Sequence, residues 1–253
     1  MLILIRENFS PQKNLDIEFQ SYLKNSVSIP GLLQAGKHIS KIFAIFFISV
    51  TTALFFWYIR ALIPSLADTS YKSYVIWIDS LIFGTVPSLW IQQNYRSAIL
   101  DVFFRWVWLS YGFVILFGSP LAYMIKADSK RHLLAVSFTL FLGLFIHYLF
   151  PTQPPWMAIN EVQRINGDIY SKIDKNLTAA MPSIHQAIIF LAGCILWKCG
   201  LWGKFFSITY NLLMAIALVY LGEHYFIDSL AGILISALSW WFAKKFGYIR
   251  NSQ

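Results

Sequence analysis

The sequence predicts an all-α, polytopic integral membrane protein, a six-transmembrane-helix bundle with N- and C-termini cytoplasmic. Three observations carry that expectation. Hydrophobic residues make up 57% of the 253 and charged residues only 13%, about half the roughly 25% charge of a soluble domain. Mean hydropathy is +0.57, and 10 Trp with 22 Phe present more apolar surface than a core of this size hides. Six segments approach the ~20 apolar residues that cross a bilayer, and the basic residues fall mostly into alternate loops. A soluble enzyme, a disordered chain and a disulfide-stapled secreted domain are excluded.

Residues 1–40 read as a cytoplasmic N-terminal segment. MLILIR is too short for the apolar core of a signal peptide, and mostly polar residues follow it. The six-helix membrane domain then runs over 41–243. Its first span covers 41–63, between Lys41 and Pro64. Residues 78–93 (IDSLIFGTVPSLWIQQ) are apolar but broken by Gly84 and Pro87, which marks an interfacial or re-entrant element rather than a span. The second span covers 98–124. The third, 132–150, is halted by Pro151. The fourth, fifth and sixth cover 183–199, 204–222 and 227–243, and a cytoplasmic tail occupies 244–253. Cys194 and Cys199 match no metal-ligand pattern and are expected to be buried thiols.

With the N-terminus cytoplasmic, the inner segments hold Arg6, Lys13, Lys24, Lys37, Lys41, Lys126, Lys130, Arg131, Lys198, Lys204, Lys244, Lys245 and Arg250, thirteen in all. The outer segments hold six: Arg60, Lys72, Arg96, Arg164, Lys172 and Lys175, with Arg105 inside the second span. The positive-inside rule therefore places both termini in the cytoplasm. The net charge of +8 reads as topology, with no nucleic-acid partner implied. Lys24, Lys37 and Lys41 would sit beside anionic lipid or in a solvated tail.

Ionisable residues at membrane depth are functional candidates. His185 stands at the outer start of the fourth span, and His224 and Asp228 at the outer start of the sixth. The 39-residue interval from His185 to His224 suffices for the chain to descend one span and return by the next, so both imidazoles reach the same outer face. His224 and Asp228, four apart, share a helical face. A carboxylate on one ring nitrogen sets the tautomer and presents the other as a nucleophile, and a facing histidine can act as general acid. That set suits phosphoryl transfer through a phosphohistidine. The same three side chains as metal ligands are the rival reading, though no third nitrogen or sulfur donor is obvious. An anion needs donors. Ser183, after Pro182, opens a helix and either caps it or offers its hydroxyl to phosphate. Asp101 and Arg105 form either a self-satisfied i,i+4 pair or a phosphate-gripping arginine. Arg164, in the outer loop, either folds over the site or is solvated.

Three ordered motifs carry a family resemblance: Phe150-Pro151-Thr152-Gln153-Pro154-Pro155-Trp156, Met181-Pro182-Ser183-Ile184-His185 and His224-Tyr225-Phe226-Ile227-Asp228. Together they resemble the type 2 phosphatidate phosphatase superfamily, and its inositolphosphotransferase-like branch, which includes the fungal inositol phosphorylceramide synthases, more closely. Asp79-Ser80-Leu81-Ile82-Phe83-Gly84, with Pro87 and Leu89-Trp90-Ile91-Gln92, is similar to that branch's element after the first span. The resemblance covers about 75–243. It implies six helices with an extracytoplasmic site, His224 as nucleophile, Asp228 as its partner, and His185 as the acid for the leaving alkoxide, with no metal and no cofactor. Departures from the superfamily pattern are the absence of Lys and Arg between Arg131 and Arg164, Ala217 and Leu218 where Ser-Arg is usual, and Ile184 for Gly. Arg164 and Arg105 are then the candidate phosphate cations.

These readings converge on a membrane enzyme that breaks a lipid phosphate ester, with membrane lipids as its surroundings and partners. The Pro-rich turn with Gln153 and Trp156 would shape the headgroup vestibule. The acceptor is water or a lipid hydroxyl. The alternative is a non-catalytic carrier or lipid-binding homologue, which would account for the missing cations. Nothing in the spans predicts an oligomeric state.

Overall fold

The computed structural model describes residues 29–66, 73–167 and 176–249. Most of the N-terminal segment, Lys172, Lys175 and the end of the tail lie outside the described residues. The chain divides into two units, Met1–Ala44 and Ile45–Gln253. The described part of the first unit is helical, belonging to α1 (Ile29–Leu66), which extends beyond the predicted 41–63 at both ends. Pro64 lies in its last turn and has no N–H to give the carbonyl of Arg60, four residues back. Asn176 supplies the missing donor, its Nδ2 lying 3.0 Å from that oxygen.

The predicted broken element is two helices, α2 (Ser73–Phe83) and α3 (Pro87–Tyr95), bent by 60°. Gly84 takes the left-handed φ of +74° that stops α2, and Pro87 starts α3 at its first position, where no N–H is needed. The Gln92 side chain then docks α3 on the rest of the unit, donating to the carbonyls of Gln163 and Tyr220 and accepting from the Gln163 N–H.

The second and third predicted spans are α4 (Ala98–Met124), capped by Ser97, and α5 (Ser129–Leu149), capped by Asp128. A short turn, α6 (Pro155–Ala158), follows. Then come α7 (Ile184–Leu196), α8 (Gly200–Tyr220) and α9 (Phe226–Ile249). Among the described residues there is no strand, only an isolated parallel bridge between Thr152 and Ala179. It ties the two ends of the long loop together, helped by a Tyr74–Thr152 hydroxyl contact of 3.0 Å.

Five helices are long and apolar enough to cross a bilayer: α1, α4, α5, α8 and α9, with the bent α2–α3 pair a sixth if it forms one span. The predicted fourth span, 183–199, is the exception. α7 has 13 residues, a rise of about 20 Å against the ~30 Å of a hydrocarbon core. The reason is its position. α7 packs against α4, α5, α8 and α9, and Ile184, Ala187, Ile188, Ile189 and Leu191 are all buried, so neighbouring helices rather than lipid surround it.

The core forms around α7 from Phe104, Trp108, Tyr111 and Ile115 of α4, Val136 and Leu140 of α5, and Met214, Leu218 and Leu221 at α8. The outer faces of the long helices present large apolar side chains, such as Trp106, Phe141, Leu212 and Trp241, the lipid-facing surface that a multi-pass membrane protein requires. The expectation of two buried thiols is corrected in part. Cys194 is half-buried, but Cys199 is exposed, because it ends the α7–α8 turn, outside the helix packing.

Candidate active site

The site lies where the N-termini of α7 and α9 meet. Gly232 makes that approach close: a Cβ there would stand 2.3 Å from the Ser183 carbonyl oxygen. With no side chain between them, the Ser183 N–H reaches the Asp228 carbonyl at 3.0 Å. Ser183 is fully buried, and its hydroxyl accepts from the Gln186 N–H at 3.3 Å. It therefore takes the capping role of the two expected for it. His147, on α5, donates its Nε2–H to the Pro182 carbonyl at 3.1 Å and so braces the backbone just before α7.

His185 sits in the first turn of α7. Its ring packs on Tyr111 and Trp108, with centroids 4.4 and 5.6 Å away. At the end of α8, Gly222 adopts φ +74° and reverses the chain, so that the His224 N–H returns to the Leu218 carbonyl at 3.2 Å. The start of α9 is capped from another element. The buried Asp79 carboxylate of α2 accepts from the Phe226 and Ile227 N–H groups at 2.8 and 3.0 Å. Asp228 accepts from the Tyr225 N–H at 2.9 Å.

The three residues that the sequence singled out come together. The Asp228 carboxylate lies 3.4 Å from His224 Nδ1, and His224 Nε2 lies 3.2 Å from His185 Nδ1. Asp228 is fully buried and both histidines nearly so. A proton held on His224 Nδ1 by the carboxylate leaves Nε2 with its lone pair toward His185. Tyr225, buried beside this group, has its phenol pushed well above the ordinary range, by burial first and by Asp228 and Asp79 after it. It is a neutral hydroxyl at any working pH.

Two small cavities adjoin the histidines. Arg60, Trp156, Arg164, Asn176 and Glu223 line one, and Trp57, Arg60, Tyr111 and His147 line the other, with His185 and His224 in both. Arg164 therefore does fold over the site. Its guanidinium makes a two-point ion pair with Glu223, at 2.9 and 3.3 Å, and lies 4.5 Å from the Trp156 ring centroid. Arg105 lines neither cavity. Its Nη2 donates to the Ile165 carbonyl at 2.7 Å, which pins the loop after α6 to α4. The expected Asp101–Arg105 pair is corrected: Asp101 instead meets Arg96 at 3.5 Å and the Tyr220 hydroxyl at 2.6 Å, because the α8 end and the turn before α4 reach it first. Gln153 is half-buried and lines neither cavity. Among the described residues, no group of three or more His, Cys, Asp or Glu side chains could hold a metal ion.

Sequence reasoning missed Arg60, Asp79 and Glu223. Asp79 carried a signal only as part of a motif. Arg60 was counted as an outer charge, although its place one turn before Pro64 marks a carbonyl in need of a partner.

The sequence model of the PAP2 superfamily matches residues 79–242. A phosphoinositol dihydroceramide synthase from Bacteroides thetaiotaomicron is 31% identical, covering 57% of this chain and 56% of that protein. An inositol phosphorylceramide synthase from Candida albicans is 24% identical, covering 66% of this chain and 41% of that one. The chain thus spans about half the length of these relatives. The crystal structure of LpxE from Aquifex aeolicus shares the fold, with a TM-score of 0.53 at 22% identity over 62% of this chain and 92% of that one.

Proposed function

The chain belongs to the PAP2 superfamily, and from that membership and the histidine pair we propose that it is a membrane enzyme cleaving a lipid phosphate ester through a phosphohistidine. The observation that carries the reading is the contact chain Asp228–His224–His185, at 3.4 and 3.2 Å. The step requires His185 to be the imidazolium once the phosphate is bound. His224 Nε2 attacks phosphorus, and an N–P bond forms as the P–O bond to the leaving alkoxide breaks. His185 gives its Nδ1 proton to that oxygen. Water or an alcohol then attacks phosphorus, the N–P bond breaks, and the now neutral His185 takes the acceptor's proton. Asp228 stabilises the positive charge that develops on His224, as a carboxylate does for an imidazole in other nucleophilic sites.

The names of the two relatives support an alcohol acceptor and an inositol-phosphate donor. The lysine and arginine asymmetry supports an extracytoplasmic site. Arg164 and Trp156 shape the headgroup vestibule, Gln153 belongs to the turn beside it, and Ser183 and Arg105 hold the helix end and loop that frame it.

The test is turnover by the purified full chain in detergent, with EDTA present and lipid products resolved by mass. Free phosphate identifies water as acceptor, and a new phospholipid identifies an alcohol. His224→Ala is expected to abolish turnover, and Asp228→Asn to lower it by about 10²–10⁴. Full activity of His224→Ala would falsify the mechanism.

A further inference from the structure

We propose that Arg60, on α1, is a phosphate-binding cation of this site. The inference rests on the phosphoryl-transfer reading for its ligand class. Arg60 lies outside residues 79–242, the stretch that the superfamily model matches.

Four observations place it there. Arg60 lines both cavities that His185 and His224 line, so its side chain stands at the junction where a phosphoryl group would meet the histidines. Its backbone is held independently of any ligand. Pro64 cannot donate to the Arg60 carbonyl, and the buried Asn176 does so at 3.0 Å, while its own Oδ1 accepts from Thr178 at 3.1 Å. The outer end of α1 is thereby docked to the loop that forms the cavity wall.

The charge inventory gives the third observation. A phosphoryl group gains and redistributes negative charge as it transfers, and fixed cations are the usual means of stabilising it. Among the described residues lining the two cavities, the arginines and lysines are Arg60 and Arg164. Arg164 pairs with the Glu223 carboxylate through two of its nitrogens. Fourth, no Lys or Arg occurs from His132 to Gln163, which leaves the segment before the Pro-rich turn without a cation of its own. Arg60 brings a guanidinium to both cavities from a helix remote in sequence.

The test is equilibrium binding of inorganic phosphate to the full chain in detergent, at constant ionic strength. Arg60→Gln is expected to weaken phosphate binding by about 10-fold or more. Arg60→Lys, which keeps the charge but loses the fork, should weaken it by roughly 3-fold. Lys198→Gln, at the opposite end of α7, is expected to match the wild type. Wild-type affinity in Arg60→Gln overturns the proposal, and so does a wild-type protein that binds no phosphate. If Arg60→Gln does not fold, Arg60→Lys decides alone: weakened binding supports the role and unchanged binding overturns it. Lipid turnover separates this from the parent reading. Loss of phosphate binding in Arg60→Gln without lipid turnover by the wild type leaves Arg60 standing and removes the phosphohistidine. Wild-type turnover together with full phosphate binding by Arg60→Gln does the reverse.

Discussion

Replacing Asp79 by alanine removes the carboxylate whose hydrogen bonds fasten the broken α2–α3 element to the start of α9. Its carboxylate oxygens accept from two consecutive N–H groups, Phe226 at 2.8 Å and Ile227 at 3.0 Å, and no part of the residue is exposed. Both donors are first-turn groups that no helical carbonyl can reach. Truncation leaves them unpaired in a buried place, at about 1–3 kcal/mol each. It also removes an anion from the positive end of the α9 dipole, about 0.3–1 kcal/mol more. The expected loss of stability is about 3–5 kcal/mol. The consequence for function follows from what comes next in the chain: His224 lies two residues before the capped N–H groups, and Asp228 one residue after them. A displacement of about 1 Å at such a pair is worth up to ~10²-fold in rate. Asp79→Asn keeps one acceptor oxygen and one cap, so it should fall between alanine and wild type in both measures. The assay pairs thermal unfolding in detergent with kcat and KM on a lipid phosphate. A cap acting through the dyad lowers kcat more than it raises KM. Wild-type unfolding and wild-type kcat in Asp79→Ala would refute the reasoning.

Three further outcomes are expected. Gly232→Ala puts a Cβ 2.3 Å from the Ser183 carbonyl oxygen, so α7 and α9 must part; stability should fall by about 1–3 kcal/mol and turnover by one to two orders of magnitude, and an unchanged unfolding temperature would show that the contact is slack. Tyr225→Phe removes a buried hydroxyl that lacks a hydrogen-bond partner among the described residues, so it should leave stability unchanged or raise it by about 1 kcal/mol; a clear fall on thermal unfolding would show that the hydroxyl is satisfied. Glu223→Gln removes the carboxylate that offsets Arg164, so inorganic phosphate should bind roughly 10-fold more tightly, about 1.4 kcal/mol, while looser placement of Arg164 lowers kcat. Weaker phosphate binding in that variant would show that Glu223 serves the site chiefly by holding Arg164.

The meeting of His185, His224 and Asp228 was legible because it rests on spacing along the chain. His224 and Asp228 are four residues apart, and two antiparallel helices return the chain to the level of His185; the shared helical face is corrected, because His224 stands two residues before α9 and Asp228 in its first turn. The count assumed helices of equal length, yet α7 has 13 residues and α8 has 21. The chain absorbs the difference by doubling back at Gly222, so that His224 bonds to the Leu218 carbonyl, a reversal that helix lengths alone do not show. Arg105 misled because the i,i+4 rule sees one helix at a time. Arg96 and Tyr220, brought in from a turn and from α8, take up Asp101 instead. Asp79 and Arg60 act more than 100 residues from their partners in the chain, Phe226 and Asn176. No periodicity links such positions. The short α7 was unreadable for a related reason: its apolar run continues to Cys199, and only the helices packed around it show that it ends earlier.

The separation of the histidines bears on how the site works. At 3.2 Å, His185 Nδ1 caps the very lone pair that must attack phosphorus. In-line transfer needs a reacting nitrogen about 3–3.5 Å from phosphorus and an acid about 2.6–3.2 Å from the leaving oxygen, so the two nitrogens must part to roughly 6 Å or more. His224 is held at Nδ1 by Asp228 and at its N–H by Leu218, two residues before the N–H groups that Asp79 caps. The His185 ring packs on the faces of Tyr111 and Trp108. Under the phosphohistidine mechanism His185, the donor of this contact, is the group that must release it. An arriving phosphate draws its N–H away from His224, which uncovers the nucleophile and turns the released imidazolium toward the leaving oxygen in the same movement. The contact that shields the nucleophile when the site is empty thus becomes the proton source when it is filled.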